Sequence, residues 1–391
     1  MLSTPGWIVK LEEARSGETA RYTRPAMSHV FVAPHPDDVA LSCGGLIASL
    51  RELGQQVTIL TVFSGSGSAA RNDGSSLSDY QREALGFGSK THWPVTEAFN
   101  RSHIRADYAV YGDPDLLPAW AATDARLDAT QADADQAAKR FWQRSSWYRR
   151  ASIRGESLAG QPVMDELSTQ GAVATDELVD AAAAGDPMSR RRLEDETYAA
   201  FAEASIVFLD VPDAVFRGYE NDEQLLNAPR DDDAAPFEIL RREIVRLEPQ
   251  KLYLPLGVGN HVDHQLCRDV GVRLLAEGRR WVMPGPDYAG IINFYEDFPY
   301  AWWNDFVQLE DLPRTAFADL PPTVGLMPEY ADIGDQLERK ITGIDIYQSQ
   351  IDRLFQGTQE MARQVRAHAR KVSVLGGGGG AAERYWASRP A

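Results

Sequence analysis

Apolar residues along this chain fall into two kinds of run. Val30–Ala33 and Val57–Phe63 are short and continuous, rich in β-forming residues, and read as buried strands. Between them Cys43, Leu46, Ile47, Leu50 and Leu53 recur at helical spacing, and Gly54 stands where a helix would close. Pro34 and Pro36 cannot continue a hydrogen-bonded ladder, so the first strand must end before them. The same rhythm returns later. Ile206–Leu209, Leu252–Leu254 and Ile291–Tyr295 read as strands. Leu193–Ala204, the face Phe237, Leu240, Ile244, Leu247, and a run ending at Leu275 read as helices. Leu337, Ile341, Ile344, Ile351 and Phe355 form one long helical stripe. Strands alternating with helices predict an α/β fold, a mostly parallel sheet with helices on both faces.

The pattern weakens over residues 69–187, where stretches such as 123–136 and 171–185 are dominated by Ala, Asp, Gln and Ser. This reads as a large, mainly helical insertion into a single domain over 1–391, with its core at 29–68 and 188–391. The insertion follows the second strand, so part of it is expected to wall the pocket at the strand ends. Within it, residues 139–150 mix Phe, Trp and Tyr with Lys and Arg, which suits an amphipathic helix packing its aromatic residues on the main domain. Ser64-Gly65-Ser66-Gly67-Ser68 lacks the G-x-G-x-x-G spacing of a dinucleotide turn. The glycine run 376–380 reads as flexible, and no element is assigned to Glu383-Arg384-Tyr385-Trp386 after it.

With 40 basic and 57 acidic residues the formal charge is −17, which argues against nucleic acid and anionic membranes as partners. Cys43 and Cys267 both fall in apolar helical patterns and read as reduced core thiols. No apolar run approaches the roughly 18 residues of a membrane span, and residues 1–28 show no leader pattern. The expected location is the cytoplasm, with no stable membrane insertion. A homo-oligomer is neither required nor excluded.

Two turns carry the chemistry. Pro34-His35-Pro36-Asp37-Asp38 follows the first strand, and His261-Val262-Asp263-His264 follows the strand Leu252–Leu254. Ligands of open α/β sheets bind at such carboxyl ends. His35 and Asp38, three apart on one tight turn, can face one point, and His264 can supply a third ligand. Two imidazoles and one carboxylate suit catalytic zinc, with Fe²⁺ or another divalent ion as substitutes. Asp37 is then left to accept a proton from an activated water. His261, with Asp263 as its partner, could be held protonated beside a developing oxyanion and leaving group. Asp213 and Glu296, each just beyond a later strand, are candidate substrate contacts. His29, His92, His103 and His368 read as ordinary core or surface histidines.

These two motifs, with Gly44-Gly45, the Arg191-x-x-Glu194 helix start, the Pro212-Asp213 turn and Tyr347-x-Ser349-Gln350, resemble the PIG-L/LmbE-like zinc-dependent de-N-acetylases. That family includes deacetylases of GlcNAc-phosphatidylinositol and of mycothiol and bacillithiol synthesis. The resemblance covers about residues 29–68 and 188 onward. It implies a Rossmann-like fold, zinc held by His35, Asp38 and His264, Asp37 as general base, and His261 as acid or oxyanion stabiliser oriented by Asp263. Val39 and Val262 stand where many members have Glu and Pro, which places the chain outside the best-studied subgroups, and the insertion makes substrate transfer unsafe.

The expected activity is hydrolytic removal of an N-acetyl group from an amino sugar or glycoconjugate. Two alternatives use the same residues. One is a non-haem Fe(II) oxygenase built on His-x-Asp…His, whose ligands normally sit on antiparallel strands. The other is a binding protein of the same fold without turnover.

Overall fold

The computed structural model describes residues 27–66, 78, 80–81, 187–277, 288–303, 317 and 320–390. Most of the expected insertion, including residues 139–150, lies outside these.

The first unit is β1 (Ser28–Ala33), α1 (Asp38–Glu52) and β2 (Gln56–Thr61), as the hydrophobic pattern predicts. The chain resumes with α2 (Pro187–Phe201), β3 (Ser205–Phe208), α3 (Asp222–Leu225), α4 (Ala235–Leu247) and β4 (Lys251–Pro255). Then come α5 (Val262–Glu277), β5 (Ile292–Tyr295) and the short α6 (Tyr300–Trp303). The last stretch holds β6 (Val324–Asp332), α7 (Leu337–Ile344), α8 (Gln348–Phe355), α9 (Thr358–Leu375) and β7 (Ala382–Pro390). The sheet order is β3-β2-β1-β4-β5-β7-β6. Pairing is parallel from β3 through β5, while β7 runs antiparallel to both its neighbours.

Alternation along the central strands divides the core in two. Phe31, Ala33, Ile59 and Tyr253 face a layer built from α1, α7, α8 and α9, which contributes Ile47, Ile341, Ile351 and Val365. Val30, Val32, Leu60, Leu252 and Leu254 face the opposite layer, where α4 and α5 supply Leu240, Ile244, Leu266 and Val270. Cys43 lies in the first cluster and Cys267 in the second, both buried and unbridged.

Two expectations change. The stripe from Leu337 to Phe355 is two helices, because the chain turns at Asp345–Tyr347 and restarts at Gln348. The segment at 382–390, given no element from the sequence, is a strand inside the sheet, and its Glu383 holds α1. Glu383 accepts from the Gly45 and Leu46 backbone N–H groups at 2.9 Å each and from Lys340 Nζ at 2.7 Å. Ile333 packs so closely on Gly45 that an added Cβ would lie 2.7 Å from it, so only glycine fits.

Gly65 has a comparable constraint. An added Cβ would meet the Asp210 carbonyl oxygen at 2.3 Å. Its backbone N–H donates to Val211 O and its carbonyl accepts from Asp213 N–H, which fixes the loop after β3 at the sheet's carboxyl edge. Tyr80 and Gln81 are fastened to this corner. The Tyr80 hydroxyl donates to Asp222 at 3.1 Å and Gln81 Nε2 donates to Val215 O at 3.0 Å.

Candidate metal and catalytic centre

The turns after β1 and β4 and the loop after β3 meet at one cleft of about 550 Å³. His35, Asp37, Asp38, Asp213, His261 and His264 all line it.

Asp38 opens α1, and its Oδ2 is the meeting point of the two turns. It accepts from His35 backbone N–H at 2.7 Å, and lies 3.2 Å from His35 Nδ1 and 3.4 Å from His264 Nε2. Burial works against its charge, but the two imidazoles and the His35 N–H hold its carboxyl well below the usual range.

Both imidazoles are aimed from behind. Asp263 Oδ2 lies 2.9 Å from His35 Nε2, and Asp263 Oδ1 accepts from Arg217 Nη2 at 2.6 Å. Arg217 is held in turn by Asp233 and by the Pro212 carbonyl. Asp297 does the same for His264, with Oδ1 at 2.6 Å from Nδ1. Carboxylates behind ligand imidazoles fix their orientation and raise their basicity.

The arrangement corrects the role given to Asp263. Its carboxylate orients His35, while only its backbone N–H reaches His261, donating to Nδ1 at 3.2 Å. His261 is not held protonated. Burial pushes its pKa well down, and with Nδ1 accepting from the Asp263 N–H, Nε2 is the nitrogen left to donate.

Asp37 stands apart from this cluster. Its backbone has φ 114°, a region that strongly favours glycine, and this turns the side chain away from Asp38. Burial raises its carboxyl pKa. Arg191, with Nη2 at 3.5 Å, opposes that rise, and the Asp38 charge adds to it. Arg191 also donates to Pro36 O at 3.1 Å and lies 3.9 Å from Asp213.

Glu296 does not line the cleft. Successive residues leave a strand in opposite directions, so Asp297 reaches His264 while Glu296 accepts from Arg384 Nε at 2.5 Å and Trp386 Nε1 at 3.0 Å. The sequence reading named the wrong member of that pair. It also missed Arg217 as a support, Tyr300 against the His264 ring and Arg353 on α8, and it quoted Gln350 in a motif without giving it a role. Only Asp297 left a signal, an acidic residue just beyond a strand that ends beside the His261–His264 turn.

The donors fit a divalent ion. Two ligands about 2.1 Å from a tetrahedral centre stand roughly 3.4 Å apart, close to the separations around Asp38 Oδ2. Two groupings bring one donor atom per residue within 4.8 Å of one another, His35 with His261 and His264, and His35 with Asp213 and Asp263, so on geometry alone His261 rivals Asp38 as the third donor. Asp38 Oδ2, 3.2 Å from His35 Nδ1 and 3.4 Å from His264 Nε2, brings charge.

Residues 30–93 match the family model described as PIG-L, GlcNAc-PI de-N-acetylase. The 2′-N-acetylparomamine deacetylase of Streptomyces fradiae is 31% identical over 201 residues, 47% of this chain and 63% of that protein. The chain therefore spans less than two thirds of that relative's length. Among solved structures, the zinc-inhibited form of the teicoplanin deacetylase Orf2 is similar, with TM-score 0.50 at 16% identity over 93% of this chain and 99% of that one. A deacetylase–bog complex from the teicoplanin biosynthesis pathway gives the same TM-score, 0.50, at 16% identity and the same coverage, 93% and 99%. At that identity the likeness concerns the fold, a mostly parallel sheet covered by helices. Among the described residues no helix is long and apolar enough to cross a membrane.

Proposed function

We propose that this protein is a metal-dependent hydrolase of the PIG-L type that removes an N-acetyl group from an amino sugar or glycoconjugate. The observation that carries the reading is the division of labour between adjacent aspartates. Asp38 Oδ2 sits between two imidazoles, while Asp37 faces the same cleft from a strained backbone with its carboxyl pKa raised. The deacetylase relative supports the choice of an N-acetylated amino sugar.

His35 Nδ1, Asp38 Oδ2 and His264 Nε2 would hold the ion, zinc by preference of the donor set, with iron or another divalent metal as substitutes. When bound, such an ion supplies Lewis acidity, lowering the pKa of a coordinated water and polarising the amide carbonyl. Asp37 takes a proton from the attacking water. It returns that proton to the leaving nitrogen as the C–N bond breaks, giving acetate and an amine. A raised carboxyl pKa suits both transfers near neutral pH. His261, neutral, donates from Nε2 to the oxygen that becomes negative. Asp213 accepts from sugar hydroxyl groups at the cleft's edge, and Arg191 holds Asp37 and Asp213 in place. The oxygenase alternative would need the same donors on antiparallel strands, whereas here they stand in turns of a parallel sheet.

The test is acetate release from a panel of N-acetylglucosamine conjugates by protein of measured metal content. Fully loaded protein that releases no acetate from any of them would overturn the proposal.

A further inference from the structure

One wall of the cleft is unused by this chemistry. Gln350 and Arg353 stand three apart on α8, share one helix face, and both line the cleft with Leu354. The helix is fixed from below by α2. Glu194 caps its first turn, accepting from Ser349 N–H at 3.0 Å and from the Ser349 hydroxyl. Asp195, next along α2, accepts at 2.6 Å both from the Tyr347 hydroxyl and from Thr61 at the end of β2. Gln350 is buried, and its amide is oriented by its neighbours. Nε2 donates to Ser349 Oγ at 3.0 Å, and Oε1 accepts from Arg353 Nη1 at 3.5 Å. Two buried carboxylates thus brace a short helix that lines the reaction cleft with an amide and a guanidinium.

We infer that Arg353, steadied by Gln350, reads an anionic group, a carboxylate or a phosphate, on the amine-bearing part of the substrate. This rests on the deacetylase reading above and narrows its substrate class. The first argument is charge. The acidic and basic side chains lining the cleft besides the histidines are Asp37, Asp38, Asp213, Arg191 and Arg353. A divalent ion at the proposed centre brings that wall to one net positive charge, in a chain whose overall charge is −17. The second is geometry. A guanidinium presents a planar fork that matches carboxylate and phosphate oxygens, and a rigid helix places it with little ordering left to do on binding. The third is environment. Burial pulls the Arg353 pKa down to about 10, the Arg191 charge adding to the fall while the Tyr300, Asp37 and Asp213 groups oppose it. An anion delivered by the ligand offsets that penalty.

The experiment uses three N-acetylglucosamine conjugates with one linker ending in an amide, a carboxylate or a phosphate. Kinetics and calorimetric titration are run on metal-loaded wild type, Arg353→Ala, Arg353→Gln and Arg353→Lys. Wild type should prefer an anionic conjugate to the amide by on the order of tenfold or more. Arg353→Ala should lose that preference through KM, with the amide conjugate changed by less than about threefold. Arg353→Lys should recover part of it, and whichever anion loses more in the variants names the group. Equal losses on all three conjugates, or a wild type that does not distinguish them, overturn the inference. Where Arg353→Ala does not fold, Arg353→Gln gives the same readout with less change of shape. Calorimetry separates the two readings. No acetate from any conjugate removes the deacetylase reading, while a binding preference for the anion that Arg353→Gln abolishes upholds the role of Arg353, and its absence overturns it.

Discussion

Asp297 Oδ1 stands 2.6 Å from His264 Nδ1, and the other oxygen of the same carboxylate accepts from Val258 backbone N–H at 2.8 Å. The loop after β4 therefore sets the carboxylate, and the carboxylate sets the ring. Nδ1 is occupied by this bond, so the His264 nitrogen available to a metal is Nε2. Asp297→Asn keeps the shape but allows the amide to present its NH₂ to Nδ1, which favours the wrong tautomer. Metal affinity should fall by about 10–100-fold. Competition against a calibrated chelator checks this, and unchanged affinity would leave Asp297 a purely structural residue.

Adjacent aspartates should separate cleanly. Asp37→Asn is expected to keep its metal and its melting temperature while losing about 10²–10⁴-fold in rate, the usual contribution of a general base. Asp38→Asn should lose the metal. If His261→Ala were instead the variant that emptied the site, the three-histidine grouping would be the ligand set.

Strain at Asp37 has a measurable sign. Alanine and glycine both remove the carboxylate, but only glycine adopts φ 114° freely. Asp37→Gly should be more stable than Asp37→Ala by about 1–3 kcal/mol, the size of a strained backbone position, with both inactive. Denaturant midpoints at constant slope decide it. Equal stabilities would mean that the turn relaxes at no cost.

The pH profile follows from the same residue. Asp37 must be ionised to accept a proton, and burial raises its pKa, so the acidic limb of kcat/KM should lie above the ordinary carboxylate value of about 3.9. Arg191 opposes that rise. Arg191→Gln should therefore move the limb to still higher pH, and a shift to lower pH would contradict the assignment of the base.

Acid stability has a separate source. His368 is buried on α9 beside Phe298 and Trp302, and burial with the Lys340 charge lowers its pKa to about 3. The folded pKa lies below the unfolded value near 6.5, so this stability is fully present above pH 6.5 and is lost as pH falls toward 3. His368→Leu should flatten the decline in melting temperature across that window. An unchanged slope would assign the acid sensitivity elsewhere.

Much of the candidate site was legible in the sequence because the proposed ligands and base fall within short turns, His35–Asp38 and His261–His264, where strand ends and prolines limit the geometry. The central strands were legible for a related reason. β1, β2 and β4 are covered on both faces, so they read as unbroken apolar runs. The residues that aim the ligands were hidden because they come from far along the chain. Asp297 and Arg217 meet the cluster only through the fold, and Asp263 looked like a partner of His261 because it is two residues away. Its carboxylate instead points across the sheet to His35. β6 and β7 escaped because they are half-exposed or polar, with Glu383 and Arg384 neutralised by Lys340 and Glu296. Burial of paired charges leaves no hydrophobic period to read.

The position of β7 has a consequence for biosynthesis. The strand lies between β5 and β6 yet is made after both, with three helices translated in between. Until it emerges from the ribosome, β5 keeps an open edge, the backbone at Gly45 and Leu46 lacks its Glu383 acceptor, and Glu296 lacks Arg384. The nascent chain thus carries the His35–Asp38 turn well before it can hold α1 in place. Truncation just before Ala382 would leave both motif turns encoded and the sheet without β7.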